Sequence, residues 1–185
     1  DLHFKFELIP GENGGENTAT LIGIDSEIQN DDLVIPNTVT VDGVEYKVRT
    51  IGDGENAIFY SNQKVTIPEN VTTIASKAFY NCGTTSGIRE VVFAGNSQLT
   101  AIGESAFEGC NYLNKITIPE NVVTIGDAAF KNCFNINDFA IASNKLKTIG
   151  AEAFYSAGNL DNFKLILPAS LETVGDNAFH NFKTR

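Results

Sequence analysis

At 185 residues, 42% of them apolar and 19% charged, the chain has the size and composition of one folded domain rather than of a disordered tail. Its formal net charge of −10 lacks the basic footprint that nucleic-acid phosphates require, and it disfavours docking on anionic lipid. No apolar run reaches the roughly 20 residues that span a bilayer, and Asp1 rather than Met leads, as expected of an exported chain whose leader is gone or of a trimmed one.

The N-terminal part reads as β structure. His3 to Ile9 alternates apolar with polar, Gly11 to Asn17 is rich in turn formers, and Thr18 to Ile24 is strand-like again. That order predicts a β-hairpin covering the open N-terminal edge of the domain. Val39 to Val48 predicts a second hairpin about Asp42-Gly43, a favoured tight-turn pair. The chain is assigned as a single domain, 1–185, with 1–48 as a capping region and 49–185 as repeats.

From Ile51 onward one phrase recurs: an aliphatic residue, usually Gly, two variable residues, Ala-Phe, two more, and a small or apolar residue. The leading aliphatic falls at 51, 74, 102, 125, 149 and 174, in steps of 23, 28, 23, 24 and 25 residues. A period of this length marks a solenoid, in which each unit buries its apolar side only by stacking on its neighbours. Within Tyr112 to Cys133, the spacing of Leu113, Ile116 and Ile118 predicts a short strand with alternate residues pointing inward. Pro119 ends it, because proline has no N–H to donate; Pro36, Pro68 and Pro168 stand in the same place, and Ala94 and Ala142 replace it elsewhere. Val122 and Ile125 form a second inward pair. Gly126 permits a turn, and Asp127 precedes a short helical segment presenting Ala129, Phe130 and Cys133 on one side. The first unit has slipped its Ala-Phe pair (Ala57, Ile58, Phe59), and the longer step from Ile74 to Val91 places its extra residues within 83–87, which predicts a surface loop. Eleven residues follow Val174 with no polar cap legible, so this end is expected to be closed by its own side chains or to be the cut edge of further repeats.

The segments Val65-Thr66-Ile67-Pro68-Glu69-Asn70-Val71-Thr72-Thr73-Ile74 and Ile116 to Cys133 resemble the BspA-type leucine-rich repeat, over almost the whole chain. Ala19 to Gly23, Leu33 to Pro36 and Val44 to Val48 are similar to the usual opening of such domains. The expected fold class is α/β: a leucine-rich-repeat solenoid of about five to six coils. It would carry a parallel β-sheet on one face, short helical turns opposite and an N-terminal β-hairpin cap. The resemblance implies a protein exported to the surface of host-associated bacteria, secreted or anchored by a lipid through a removed leader. It further implies adhesion to host or neighbouring-cell proteins, with no catalytic residues, metal or cofactor to carry over.

The residues themselves point the same way. The two histidines, His3 and His180, lie near opposite ends, too far apart for a shared triad. Acidic groups at Asp25/Glu27, Asp31/Asp32 and Asp53/Glu55 lack the regular ladder of a calcium loop and suit turns. Cys82, Cys110 and Cys133 share a column with Ala157 and Phe182, which marks a packing position. Stacking could bring two neighbouring thiols within bridging distance, but the odd count fits no zinc pattern. Asn70-Val71-Thr72 matches a glycosylation sequon only through the repeat consensus.

The candidate site is the open face of the sheet. Its outward columns are Lys64, Glu90, Lys115 and Asp138 beside Thr66, Val92, Thr117, Ala140 and, in the last unit, Lys164 or Ile166. A small, neutral stripe beside alternating charge suits a protein partner better than a small ligand. Alternatives are a glycan-binding accessory protein, for which Tyr60, Tyr80, Tyr112 and Tyr155 are the available aromatics, and a structural spacer within a larger surface protein.

Overall fold

The computed structural model of the chain describes residues 3–25, 32–58, 64–82, 87–158 and 165–182. They contain fourteen strands: β1 (Phe4–Ile9), β2 (Thr18–Ile24), β3 (Leu33–Val34), β4 (Thr38–Val41), β5 (Val44–Ile51), β6 (Lys64–Ile67), β7 (Thr73–Ile74), β8 (Glu90–Phe93), β9 (Ala101–Ile102), β10 (Lys115–Ile118), β11 (Thr124–Ile125), β12 (Asp138–Ile141), β13 (Thr148–Ile149) and β14 (Thr173–Val174). Each complete turn of the chain contributes one strand to each of two sheets. The first sheet runs β1-β2-β5-β7-β9-β11-β13-β14 with β4 beside β5, and the second runs β12-β10-β8-β6-β3.

The repeating aliphatic residues of the sequence are the rungs of the first sheet. Ile51 pairs with Ile74, Ile74 with Ile102, Ile102 with Ile125, Ile125 with Ile149 and Ile149 with Val174, all parallel. The second sheet is parallel too, with Val65 against Val91, Val91 against Ile116, and Ile116 against Phe139. Between the sheets lies one core, in which Val71, Leu99, Val122 and Leu146 are fully buried. The spine of that core is a stack of phenylalanines. Phe79, Phe107, Phe130, Phe154 and Phe179 follow one another at 4.5, 5.1, 5.2 and 5.3 Å between ring centroids, tilted by 17°, 4°, 6° and 2°. In the first coil Ile58 fills the spine position, its N–H donating to Ala78 O just as that of Phe79 donates to Ala106 O. The slipped pair of that unit is thus accommodated by two extra residues in the turn.

The third side corrects the expected fold class. No α-helix occurs among the described residues, and the one helical element is a 3-10 turn at Glu12–Gly14. Solenoid and parallel sheets stand, but the α/β class and the short helical turns give way to an all-β coil. The reason lies in the backbone of the Ala-Phe turns. Lys77, Ser105, Ala128, Glu152 and Asn177 take φ of 52° to 58°, and Asn81, Gly109, Asn132, Ser156 and Asn181 take φ of 52° to 72°. A left-handed residue at every fourth place prevents a helix from propagating. The N–H groups freed in this way cross to the next coil: Phe79, Phe107, Phe130 and Phe154 donate to Ala106, Ala129, Ala153 and Ala178 at 2.7–2.8 Å. Asp127, read from sequence as a helix cap, instead accepts the Ala151 N–H of the following coil at 2.8 Å.

Both N-terminal hairpins form. β1 and β2 are antiparallel, and β2 continues the first sheet by lying parallel to β5, so the hairpin covers the first rung. β4 and β5 meet through Asp42 (φ 51°) and Gly43 (φ 78°), two left-handed residues whose twist suits a hairpin. Glu16 ties this region together, accepting from Lys47 Nζ at 2.6 Å and from Arg49 at 2.6 and 2.8 Å. At the far edge, Val174 is 48% exposed and Phe179 and Phe182 are half-buried. The expected loop at 83–87 lies almost wholly outside the described residues.

Candidate functional site

Strand geometry places the outward columns of the second sheet. With Val65, Val91, Ile116 and Phe139 buried, their neighbours must face out. Lys64 pairs with Glu90, Glu90 with Lys115 and Lys115 with Asp138. Their side chains follow that register as ion pairs of 3.9, 3.4 and 3.9 Å. Lys115 and Asp138 are 52% and 62% exposed, so each contact is worth only about 0–1 kcal/mol. The ladder fixes the order of charges more than it stabilises the coil.

Beside it runs the small column. Thr66 is level with Val92, and Thr117 with Ala140. The structure adds Val34 at its start, level with Thr66 and 67% exposed. At the other end Leu165 packs against the core while Ile166 is 70% exposed, so Ile166 faces outward; Lys164 lies outside the described residues. The stripe therefore begins and ends on exposed branched aliphatics.

A groove of about 440 Å³ opens on this face. Its floor is Glu90, Val92, Lys115 and Thr117, its apolar side Phe93, Pro119 and Ala142, and its lip the turn Ala94 to Ser97. The lip has a sequence signal, in turn length, that the residue pattern conceals. From the last strand residue to the next inward aliphatic there are four residues after Ile67 and Ile118, but six after Phe93 and five after Ile141. These longer turns are the two in which Ala94 and Ala142 replace proline. The extra length is held by defined bonds. Asn96 is left-handed at φ 61°, Ser97 Oγ accepts from Leu99 N, and Asn121 Nδ2 donates to Ser97 O at 2.8 Å. Lys145 Nζ in turn donates to Asn121 Oδ1 at 2.6 Å, which links the two long turns.

The other candidate residues do not assemble. His3 precedes β1 and His180 follows β14, at opposite ends of the first sheet. Asp53 caps its own turn; hydrogen bonds from the Asn56 side chain and from the Asn56 and Glu55 N–H groups hold its carboxyl below the usual range. Among the described residues no three His, Cys, Asp or Glu side chains gather as metal ligands; Glu27 and Asp31 are outside them. Asn70 of the sequon is buried, its amide donating to Asn37 O. Two of the cysteines are not free packing residues, since Cys82 and Cys110 form a disulfide; Cys133 stays free and buried.

Among the described residues Tyr80, Tyr112 and Tyr155 make no shared platform. Tyr155 is covered by Lys131, 5.4 Å from its ring, and by His180, stacked at 5.1 Å. Lys131 is also bound to Glu152, whose hydrogen bond raises its pKa. Tyr80 lies three coils away, Tyr112 is half-buried, and Tyr60 falls outside the described residues.

Comparison with known proteins agrees with this geometry. A search of curated proteins finds no match to the chain. Among solved structures the chain is similar to the pneumococcal vaccine antigen PcpA (25% identity, TM-score 0.83), over 100% of this chain and 47% of that one. It is also similar to a leucine-rich cell surface protein of Faecalibacterium prausnitzii (25% identity, TM-score 0.60), over 95% of this chain and 50% of that one. The chain thus spans about half the length of each. A leucine-rich repeat protein of T. pallidum shares the fold at 21% identity and TM-score 0.70, over 95% of this chain and 80% of that one. The model of the BspA type leucine rich repeat region matches six copies, over residues 43–90 and 85–185, and the chain belongs to that family.

Proposed function

We propose that the chain is a non-enzymatic interaction module of an exported protein, at the cell surface or secreted, that binds a host or neighbouring-cell protein on the outer face of the second sheet. The observation that carries this reading is the groove between Val92/Thr117 and the Ala94 to Ser97 lip, set into the stripe from Val34 to Ile166. An extended polypeptide can lay small side chains along such a stripe while the flanking ladder of Lys64, Glu90, Lys115 and Asp138 fixes its charge register. Two similar proteins, one a vaccine antigen and the other a cell surface protein, support the location. No helix among the described residues is long and apolar enough to cross a membrane.

The test is a binding screen of the chain against immobilised host extracellular proteins and intact bacterial cells, repeated with the Val92→Arg/Thr117→Arg variant. Both positions face out, so the variant keeps its fold, checked by circular dichroism. Saturable binding of the wild type that falls at least tenfold in the variant supports the face. Equal binding by both proteins overturns it.

A further inference from the structure

Three cysteines stand in one column of the solenoid, and only two of them are bridged. Cys82, Cys110 and Cys133 each follow an inward isoleucine of the first sheet, Ile74, Ile102 and Ile125, by eight residues. Those isoleucines are directly paired, Ile74 with Ile102 and Ile102 with Ile125. The bridge occupies the first rung, Cys82–Cys110, with Cα atoms 4.9 Å apart. The second rung is built in the same way. Phe79 and Asn81 donate across the first rung to Ala106 and Glu108 at 2.7 and 2.8 Å; Phe107 and Gly109 donate across the second to Ala129 and Lys131, both at 2.8 Å. Cys110 Sγ lies 2.9 Å from Phe79 O, and Cys133 Sγ donates to Phe107 O at 3.0 Å, the equivalent contact one coil on. Cys110 therefore has an equivalent neighbour on either side.

Chain entropy does not choose between them, because loops of 28 and 23 residues differ little under a logarithmic dependence. Access does. Cys133 is fully buried, and burial pushes its thiol well up, only partly offset by the Cys110 backbone N–H lying against the sulfur. It stays protonated, and a thiol is no nucleophile.

We propose that this column is a two-position disulfide ladder, with Cys110 as the shared member and Cys133 as the reserve partner. When local opening frees the Cys133 thiolate, it attacks Cys110 Sγ. The Cys110–Cys133 bond forms, the Cys82–Cys110 bond breaks, and Cys82 leaves as a thiolate that takes up the proton Cys133 released. The exchange is redox-neutral and needs no external oxidant. It moves the staple one coil along the solenoid without losing it.

The test uses the full chain, blocked with N-ethylmaleimide as it is unfolded in guanidinium chloride at neutral pH so that buried thiols react, and mapped by mass spectrometry of non-reduced peptides. Wild type at neutral pH is expected to show Cys82–Cys110 with Cys133 blocked. In mild urea at about pH 9, where thiolates form, Cys110–Cys133 should appear together with blocked Cys82. Cys82→Ser, oxidised with glutathione disulfide, should give an intramolecular Cys110–Cys133 bridge. Cys110→Ser should give none, because the two remaining sulfurs sit two rungs of about 4.8 Å apart, beyond bridging reach. The proposal is overturned if folded Cys82→Ser keeps two blockable thiols. It is equally overturned if Cys110→Ser bridges Cys82 to Cys133 as readily, which would indicate cross-linking in the unfolded chain. Should Cys82→Ser fail to fold, the absence of any Cys110–Cys133 peptide from wild type at raised pH overturns it alone.

Discussion

The Phe107 and Phe130 rings lie 5.1 Å apart and within 4° of parallel, one directly over the other in successive coils. That spacing is close to the 4.7–4.9 Å between hydrogen-bonded strands, so one repeat distance serves rings, rungs and turns together. The solenoid has a single core because every inward column obeys it. The same rule sets the outer face of the second sheet: residues one place away in a strand form outward columns with the identical spacing, as Lys64, Glu90, Lys115 and Asp138 do.

Truncation in the middle of the stack should therefore cost more than at its edge. Phe107 is fully buried between two rings, whereas Phe179 is half-buried at the last described coil. Phe107→Ala is expected to lose about 3–5 kcal/mol, the range for a buried phenylalanine, and Phe179→Ala less than half as much. The chain has no tryptophan, so urea unfolding followed by far-UV circular dichroism is the suitable measurement. Equal losses at the two positions would contradict a continuous spine.

The glycine after each rung aliphatic is a matter of clearance. A Cβ on Gly126 would stand 2.7 Å from Glu104 N and from Gly103 C, backbone atoms of the coil beneath. Gly150 and Gly175 are tighter still, whereas Gly95 in the groove lip faces open space. Gly126→Ala should cost about 1–3 kcal/mol through overpacking, and Gly95→Ala less than about 0.5. Ala75 is tolerated in this column above Gly52, which turns by another path at φ 94°. Unfolding midpoints of the two variants decide the matter.

The sequence showed the spine and both inward sets because burial constrains residue type: only aliphatics recur at 51, 74, 102, 125, 149 and 174, and only Phe at five of the spine positions. It misled on the third side. Ala129, Phe130 and Cys133 have helical spacing, yet the same spacing arises from two successive turns whose left-handed residues are Ala128 and Asn132. Asn81, Gly109, Asn132 and Asn181, residues that tolerate positive φ, were the available signal. Of the candidate face, strand alternation gave the outward columns. The groove lip escaped because it is made by turn length, at Ala94 to Ser97, rather than by residue type.

The left-handed turn residues give a further prediction. Asn132 sits at φ 60°, and the equivalent residue one coil earlier is Gly109 at φ 72°. Asn132→Gly should lie within about 0.5 kcal/mol of wild type, since relief of backbone strain offsets the added freedom of the unfolded chain. Asn132→Val should lose about 1–2 kcal/mol, because a β-branched side chain is strained in this region. Thermal melts of both variants check the order, and a helical turn at this position would reverse it.

Acid should loosen the N-terminal cap before the coils. Hydrogen bonds from Lys47 and then Arg49 hold the Glu16 carboxyl below its ordinary value. A group whose folded pKa is depressed adds stability above its unfolded pKa, and that stability is lost as pH falls through the folded value. The window thus opens below the usual glutamate pKa of about 4.3. Glu16 is exposed, so the effect on global stability is small, but locally it joins the β1–β2 hairpin to β5. Protection factors of β2 amides, which already correct for the slower intrinsic exchange in acid, are expected to fall between neutral pH and about pH 3, while β10 amides keep theirs. Glu16→Gln should be faster at neutral pH and lose most of that pH dependence, because it cannot ionise. If β2 and β10 respond alike in wild type, the ion pair does not hold the cap.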